Sequence, residues 1–147
     1  MIYTALTNKA MKIAYYAHHG QVDCNNVPYI FHPYHIAEQM TDEITVCVAL
    51  LHDVVEDTQI TMEQLEKDFP VQVIEALQLL THDSNVDYFE YIKTIKNNPV
   101  AKAVKLADLL HNSDKSRITD IDAVPAEKLE YWDKKYTKAL KILKESN

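Results

Sequence analysis

A group of acidic and imidazole side chains near the middle of the chain has the residue types that hold a cation. His52 and Asp53 are followed four residues later by Glu56 and Asp57. On a helix, residues i and i+4 are neighbours, so each of the first two would contact one of the second two. Carboxylates this close repel one another unless a positive charge lies among them, and acids at a helix C-terminus also oppose the helix dipole. The spacing is compatible with a divalent cation site and with a solvated C-terminal turn.

Two further positions carry ligand-type side chains on predicted helices. Asp108 lies beside the apolar stripe of a helix that begins after Pro99, where a carboxylate is seldom left unpaired. Its alternative partner is Lys105, three residues earlier, in a surface salt bridge. His32 directly precedes Pro33, where it is also compatible with an ordinary helix N-terminal position. Neither position is decisive alone.

Together these side chains form one ligand set drawn from separate helices. A helical bundle can bring such residues to one point, and metal sites inside bundles are common. Imidazoles and carboxylates with open positions suit a hexacoordinate Mn, Fe or Mg ion better than closed tetrahedral zinc. The predicted ligands are His32, His52, Asp53 and Asp108. A second pair, His82-Asp83, precedes Ser84 and Asn85 at the end of a predicted helix and is interpreted as a solvated helix terminus.

Composition limits the class of protein. The 147 residues are 47% hydrophobic, and 15 Lys+Arg against 22 Asp+Glu give a formal net charge of −7. This predicts one globular domain and argues against non-specific nucleic-acid binding. The single glycine excludes a glycine-rich phosphate loop. Cys24 and Cys47 have neither disulfide nor zinc spacing, and no stretch has the pattern of a membrane span or a signal peptide, so we expect a cytoplasmic protein without a membrane partner.

Hydrophobic periodicity predicts helices throughout, and no run alternates as a strand would. The central apolar helix is predicted to begin after Thr41 or Asp42 and to continue through Val55. Thr61 with Gln64 has capping-box spacing before the next helix. The fold class is therefore all-α, a single domain over residues 1–147 with about seven or eight helices. The other helices are predicted near 10–19, after Pro33, at 61–69, 71–81 and 87–97, after Pro99 and near 129–143.

Four ordered segments carry a resemblance to a known family. They are residues 17–21 (AHHGQ), 28–33 (PYIFHP), 50–58 (LLHDVVEDT) and 104–112 (VKLADLLHN). In order and spacing they resemble the HD-domain hydrolases of the RelA/SpoT type, and the chain is similar to a stand-alone small alarmone hydrolase. The resemblance covers about residues 6–112 well and the last helix loosely.

The resemblance implies an all-helical HD fold that binds Mn²⁺ through the ligand set defined above. It implies that Glu56 and Asp57 position or activate the attacking water and that Asn112 contacts the nucleotide. The implied reaction is hydrolysis of the 3′-pyrophosphate of guanosine tetra- or pentaphosphate (ppGpp or pppGpp), which gives GDP or GTP and pyrophosphate.

The chain departs from the family where the substrate would be held. Many members have an Arg-Lys pair where this chain has Asp23-Cys24, and an arginine where it has Leu109. Arg117 is the only arginine and hence the only side chain able to grip phosphate in a bidentate manner. The candidate substrate-binding residues are Asn112, Lys105 and Arg117, with Tyr136 as a contact to the base.

Three interpretations stay open at this point. The first is a metal-dependent alarmone pyrophosphohydrolase. The second is an HD phosphohydrolase acting on another nucleotide or phosphate ester, which Asp23-Cys24 favours. The third is a non-catalytic nucleotide-binding regulatory module, against which Glu56 and Asp57 argue. The expected partner is a small-molecule nucleotide, and a homo-oligomer is compatible with the sequence.

Overall fold

The computed structural model describes residues 1–145. Over these residues it has nine α-helices, short 3-10 helices at Lys115–Arg117 and Ile121–Ala123, and no β-strand. The all-α class expected from the sequence is confirmed. The helices are α1 (Ala5–Ala17), α2 (Phe31–Glu38), α3 (Glu43–Leu51), α4 (Val54–Asp57), α5 (Met62–Glu66), α6 (Val71–Leu80), α7 (Tyr88–Ile95), α8 (Pro99–Asn112) and α9 (Ala126–Lys144).

Helix α3 lies at the centre of the bundle. Every residue from Val46 to Leu51 has an exposure of 1% or less, and the helix packs against α1, α2, α6 and α8. A helix that is apolar on all sides needs neighbours on all sides. Burial of each large aliphatic side chain contributes about 1.5–3 kcal/mol. The tight packing of α3 therefore fixes the position of His52 and Asp53, which directly follow it.

The predicted central helix is interrupted at its chemically important end. Periodicity predicted a continuous helix through Val55, but α3 ends at Leu51 and α4 begins at Val54. That prediction was wrong, and the break accounts for the extra helix. His52 and Asp53 form the turn between the two helices, and the Asp53 backbone (φ −106, ψ −1) departs from helical values.

Side-chain caps explain most of the helix starts. Asp42 caps α3 by accepting from the Thr45 N–H, and Thr61 with Gln64 forms the predicted capping box of α5. Helix α1 begins earlier than predicted because Thr4 and Thr7 form a capping box that the sequence reading missed. Since a side-chain cap satisfies N–H groups that have no partner in the helix, each of these residues fixes where its helix starts.

The segment between α1 and α2 is held by its own polar groups. Val22 and Pro28 form an isolated antiparallel bridge, and Asp23 Oδ1 accepts from the N–H groups of Asn25 and Val27. The long last helix, α9, packs on α7 and α8. None of the helices within residues 1–145 is long and apolar enough to cross a membrane.

Candidate metal centre

Four mostly buried side chains from different parts of the bundle converge on one point. His32 comes from α2, His52 and Asp53 from the turn after α3, and Asp108 from α8. Each offers a ligand atom within 4.8 Å of the others. His32 Nε2 lies 2.8 Å from Asp108 Oδ1, and His52 Nε2 lies 3.0 Å from Asp53 Oδ2. The fold thus brings together the four residues predicted as ligands.

The orientation of the His52 ring indicates whether the four-residue cluster can hold a cation. Its Nδ1 lies 2.6 Å from the Ala49 carbonyl oxygen, which can only accept, so Nδ1 carries the proton. When the ring is neutral, the buried Nε2 therefore carries the lone pair. It faces Asp53 Oδ2 at 3.0 Å and Asp108 Oδ1 at 3.5 Å, yet neither is placed to make a hydrogen bond with it. An acceptor buried among carboxylate oxygens fits a divalent cation, and the backbone contact through the other nitrogen is typical of metal-binding histidines.

The charges around His52 favour a positive charge in the cluster. Burial lowers the pKa of His52, but Asp53 and Asp108 outweigh it and raise that pKa well above its usual value. The two carboxylates therefore favour a positive charge at Nε2. Because only the deprotonated nitrogen binds metal, a proton and a metal ion compete for the same lone pair.

Asp108 is stabilised as a carboxylate from several sides. Burial raises its pKa, but the Lys105 ammonium, 2.8 Å from Oδ2, and the two histidines hold the pKa well below its usual range. Asn112 Nδ2 donates to Oδ1 at 3.1 Å. The salt bridge to Lys105, weighed as an alternative to a metal site, exists alongside the cluster. It is not a surface pair, since the two side chains are 13% and 6% exposed.

A row of histidine rings continues from His32 toward the surface. His32 Nδ1 lies 2.7 Å from His111 Nδ1, and the His111 ring stacks between His32 at 5.0 Å and His35 at 4.2 Å. Burial and the nearby Arg117 lower the pKa of His111 to about 4, so this ring is neutral at pH 7. One nitrogen of the close Nδ1 pair must therefore donate to the other, which fixes the orientation of His32.

Tyr29 orients the other carboxylate of the cluster. Its hydroxyl donates to Asp53 Oδ2 at 2.5 Å, and its ring contacts those of His18 and His32. Burial raises the pKa of Asp53, but His52 and this hydrogen bond bring it down to about 2. Asp53 is thus a carboxylate throughout the neutral range.

Glu56 and Asp57 lie beside Asp53. One carboxylate oxygen from each of the three lies within 4.8 Å of the others. Glu56 Oε1 accepts from the His82 N–H at 2.7 Å. Burial, followed by the charges of Asp53 and Glu56, raises the pKa of Asp57 to about 6. The two acids predicted to handle water are therefore next to the cluster, and one of them titrates near neutral pH.

A short chain of hydrogen bonds connects the end of α1 to Asp57. Gln21 Nε2 donates to the Asp57 carbonyl oxygen at 2.9 Å, and Gln21 Oε1 accepts from His18 Nδ1 at 2.8 Å. Burial lowers the pKa of His18, so its ring is neutral at pH 7. Gln21 thereby satisfies a carbonyl group at the C-terminal end of α4, which has no partner within the helix.

A sequence profile of the family described as HD domain matches residues 10–113. This chain belongs to the HD-domain family. The matched residues include all four residues of the cluster together with Glu56 and Asp57. Helix α9 lies outside the match.

Relatives of this HD domain include proteins of very different lengths. The GTP pyrophosphokinase rsh of Brucella melitensis is 32% identical over 123 residues, which is 74% of this chain but 16% of that protein. The guanosine-3′,5′-bis(diphosphate) 3′-pyrophosphohydrolase MESH1 of Danio rerio is 35% identical over 122 residues, covering 74% of this chain and 68% of that protein. Human MESH1 is 36% identical over 101 residues, covering 61% and 56%.

A solved structure of similar fold extends the likeness to α9. It is described as a metazoan ortholog of SpoT that hydrolyses ppGpp. It matches this HD domain with a TM-score of 0.81 and 26% identity, over 100% of this chain and 90% of that chain. The resemblance to RelA/SpoT-type HD proteins stated from the sequence is thereby confirmed.

The residues predicted to bind substrate surround the centre of the HD domain. Asn112 contacts Asp108, and Asn112 and Tyr136 line one narrow groove beside α9. Lys105 is buried on Asp108. A cleft of about 460 Å³ adjoins His32, and Arg117 is part of its lining. The positions of Asn112, Arg117 and Tyr136 are compatible with the predicted roles, whereas the Lys105 ammonium is paired with Asp108 and is not free to contact a substrate.

Arg117 is already paired in this HD domain. Its Nη1 donates to the His111 carbonyl oxygen at 2.8 Å, and its Nη2 lies 3.3 Å from Asp23 Oδ2. Asp23 stands where many family members have a cation. Its carboxylate therefore neutralises Arg117, whereas a cation at this position would supply a second positive charge.

The sequence reading gave no role in the site to His82 or Tyr29. His82 does follow the end of α6, as predicted, but its N–H holds Glu56 and its ring lies 4.5 Å from that of Tyr91. Tyr29 donates to Asp53 Oδ2 and was considered only as part of the 28–33 segment. Its place in the 28–33 segment, three residues before His32, was the available signal, since residues three apart at a helix start face the same way.

Proposed function

We propose that residues 1–147 form one HD-type domain that hydrolyses the 3′-pyrophosphate of ppGpp or pppGpp, giving GDP or GTP and pyrophosphate. The observation that carries this proposal is the meeting of two histidines and two aspartates beside Glu56 and Asp57. It is supported by the match to 68% of a MESH1 protein, which is named for this reaction.

We propose Mn²⁺ as the cation and His32, His52, Asp53 and Asp108 as its ligands. Nitrogen and oxygen donors with positions left open suit this ion. The unpartnered Nε2 of His52 supports the assignment. The chemistry that such a cation supplies is Lewis-acid activation of water and withdrawal of charge from a phosphoryl oxygen.

Glu56 and Asp57 are proposed to take the proton of the attacking water. Water adds to the phosphorus attached to the ribose 3′ oxygen and gives a proton to the carboxylate, while the bond from the 3′ oxygen to phosphorus breaks. The departing 3′ oxygen takes up a proton and becomes the 3′ hydroxyl of GDP or GTP, and the oxygen of the water stays on the released pyrophosphate. A base works best when its pKa is near the working pH. The raised pKa of Asp57, about 6, meets this condition. Glu56 is kept in place by the His82 N–H.

Asn112, Arg117 and Tyr136 are proposed as substrate contacts, and Lys105 contributes its positive charge while holding Asp108. Arg117 must exchange its contact with Asp23 for one with phosphate, because its Nη2 is engaged there. The cytoplasmic location and the homo-oligomer stay predictions.

The test is release of pyrophosphate from ppGpp by the Mn²⁺-loaded protein. Glu56→Gln should abolish turnover while Mn²⁺ binding, measured by calorimetry, is retained. Glu63→Gln, on α5 away from the centre, is the matched control and should leave turnover unchanged. Loss of Mn²⁺ binding in Glu56→Gln would show that Glu56 is a ligand and not a base.

A second candidate is an HD phosphohydrolase that acts on another nucleotide or phosphate ester. The ion pair between Asp23 and Arg117 favours it, because this pair removes the cationic grip that the family has at this position. Release of orthophosphate from other esters, without cleavage of ppGpp, would select this candidate.

A further inference from the structure

A cleft between α7 and α9 lies outside the metal centre and is lined by cations and aromatic rings. Its volume is about 320 Å³. The rings belong to both helices, whereas the cations all come from α9. The lining residues are Tyr88, Phe89, Tyr131, Lys134, Lys135 and Lys138. We call this space the lysine cleft.

Two of its lysines have aromatic faces as partners instead of carboxylates. Lys135 Nζ lies 4.3 Å from the centre of the Tyr88 ring, and Lys138 Nζ lies 4.1 Å from that of Phe89. Lys134, by contrast, pairs with Glu130 at 2.9 Å. Among residues 1–145, no carboxylate lies within ion-pair distance of Lys135 or Lys138. A ring face orients an ammonium but leaves its charge uncompensated. Two such charges in one cleft are notable in a protein of net charge −7.

The lysine cleft is continuous with the metal centre through side-chain contacts. Lys105, which pairs with Asp108, has its Nζ 5.4 Å from the centre of the Tyr91 ring. The Tyr91 ring lies 5.8 Å from that of Tyr88, and Lys135 lies over Tyr88. Burial, together with the charge of Lys105, lowers the pKa of Lys135. The two ammonium groups therefore repel each other across these rings, and an anion bound beside Lys135 would relieve that repulsion.

We propose that the lysine cleft is an anion subsite for the 5′-phosphates of a nucleotide whose 3′-pyrophosphate lies at the metal centre. This inference rests on the proposed function, which requires a substrate with phosphates on both sides of one ribose. Lysines bind phosphate as point charges and need no bidentate geometry. The subsite would replace the cations missing at Asp23-Cys24, where Arg117 is already neutralised.

The experiment compares two substrates that differ only at the 5′ position. They are ppGpp and guanosine 3′-diphosphate with a free 5′ hydroxyl. Lys135→Gln/Lys138→Gln should raise the KM for ppGpp about tenfold, the scale of losing charge-assisted hydrogen bonds to one phosphate, and leave kcat unchanged. The same double variant should leave the KM for the 5′-hydroxyl substrate unchanged. Lys135→Arg/Lys138→Arg keeps the charges and should retain the KM for ppGpp.

The matched control is Lys141→Gln/Lys144→Gln, which removes the same charge from α9 outside the cleft. It should behave as the wild type on both substrates. An unchanged KM for ppGpp in the cleft variant, or an equal rise for both substrates, overturns the subsite while the proposed function stands. Circular dichroism melting curves confirm that each variant is folded.

A titration of GDP separates failure of the subsite from failure of the proposed function. GDP carries only 5′-phosphates, so the wild type should bind it and the cleft variant should bind it about tenfold more weakly. If the wild type does not cleave ppGpp, the proposed function fails, and this titration alone decides the subsite. Equal affinity of both proteins for GDP, or no binding by the wild type, overturns it.

Discussion

Lys105→Met is expected to destabilise the metal-free protein strongly. The side chain keeps its length, but the Lys105 ammonium that lies 2.8 Å from Asp108 Oδ2 is removed. Breaking a buried ion pair by removing one partner costs about 3–5 kcal/mol, because a charge stays buried without compensation. Asp108 retains contacts to His32 and Asn112, so we expect the lower end, about 3 kcal/mol. In a domain of this size that lowers Tm by about 6–12 °C.

The assay is thermal unfolding in EDTA and again in excess Mn²⁺. A bound cation supplies positive charge next to Asp108, so Mn²⁺ should restore part of the loss and should raise the Tm of the variant more than that of the wild type. Lys102→Met, one turn earlier on α8, is the matched control and should shift Tm by less than about 2 °C. If the two variants melt at the same temperature in EDTA, the Lys105 pair does not stabilise the carboxylate and the reasoning is refuted.

Three further predictions concern the residues that hold the centre. Tyr29→Phe removes the donor to Asp53 and should weaken Mn²⁺ binding by about tenfold in calorimetry; unchanged affinity would show that the hydroxyl does not orient the ligand. Gln21→Ala should lower kcat while Mn²⁺ affinity is retained, because it frees the Asp57 carbonyl without touching a ligand, and a loss of affinity with kcat intact would contradict this. For Asp57, the pKa of about 6 lies above that of an unfolded aspartate, so its protonated form favours folding, and this contribution is lost as pH rises through 6. Asp57→Asn should therefore stabilise the metal-free protein at pH 7 by less than about 1 kcal/mol, since the side chain is partly exposed, and should have no effect below about pH 4. Melting curves across this pH range check the sign, and destabilisation at pH 7 would contradict it.

The sequence predicted the helices well because their signals are local. Thr61, Asp42 and Pro99 each mark a helix start through groups within a few residues. The break after Leu51 was missed because apolar residues continue at helical spacing through Val54 and Val55. Periodicity indicates which positions are apolar. It carries no information on the turn that brings His52 and Asp53 close to His32 on α2 and Asp108 on α8.

The candidate site was predicted as a set of residue types, and its connections were not. The four residues proposed as ligands were selected by their chemistry, and the pair of Lys105 with Asp108 was predicted from a spacing of three residues. The contact of Arg117 with Asp23 joins residues 94 positions apart, and that of Tyr29 with Asp53 joins residues 24 apart. No periodic pattern encodes such contacts, since they depend on how whole helices are placed.

The break between α3 and α4 determines which mutations can destroy the centre. Adjacent residues of an unbroken α-helix point about 100° apart, so His52 and Asp53 could not both face one ion from such a helix. Their shared direction depends on the turn backbone at Asp53. A substitution nearby that makes α3 continue without interruption would therefore abolish the proposed metal binding although every proposed ligand is still encoded.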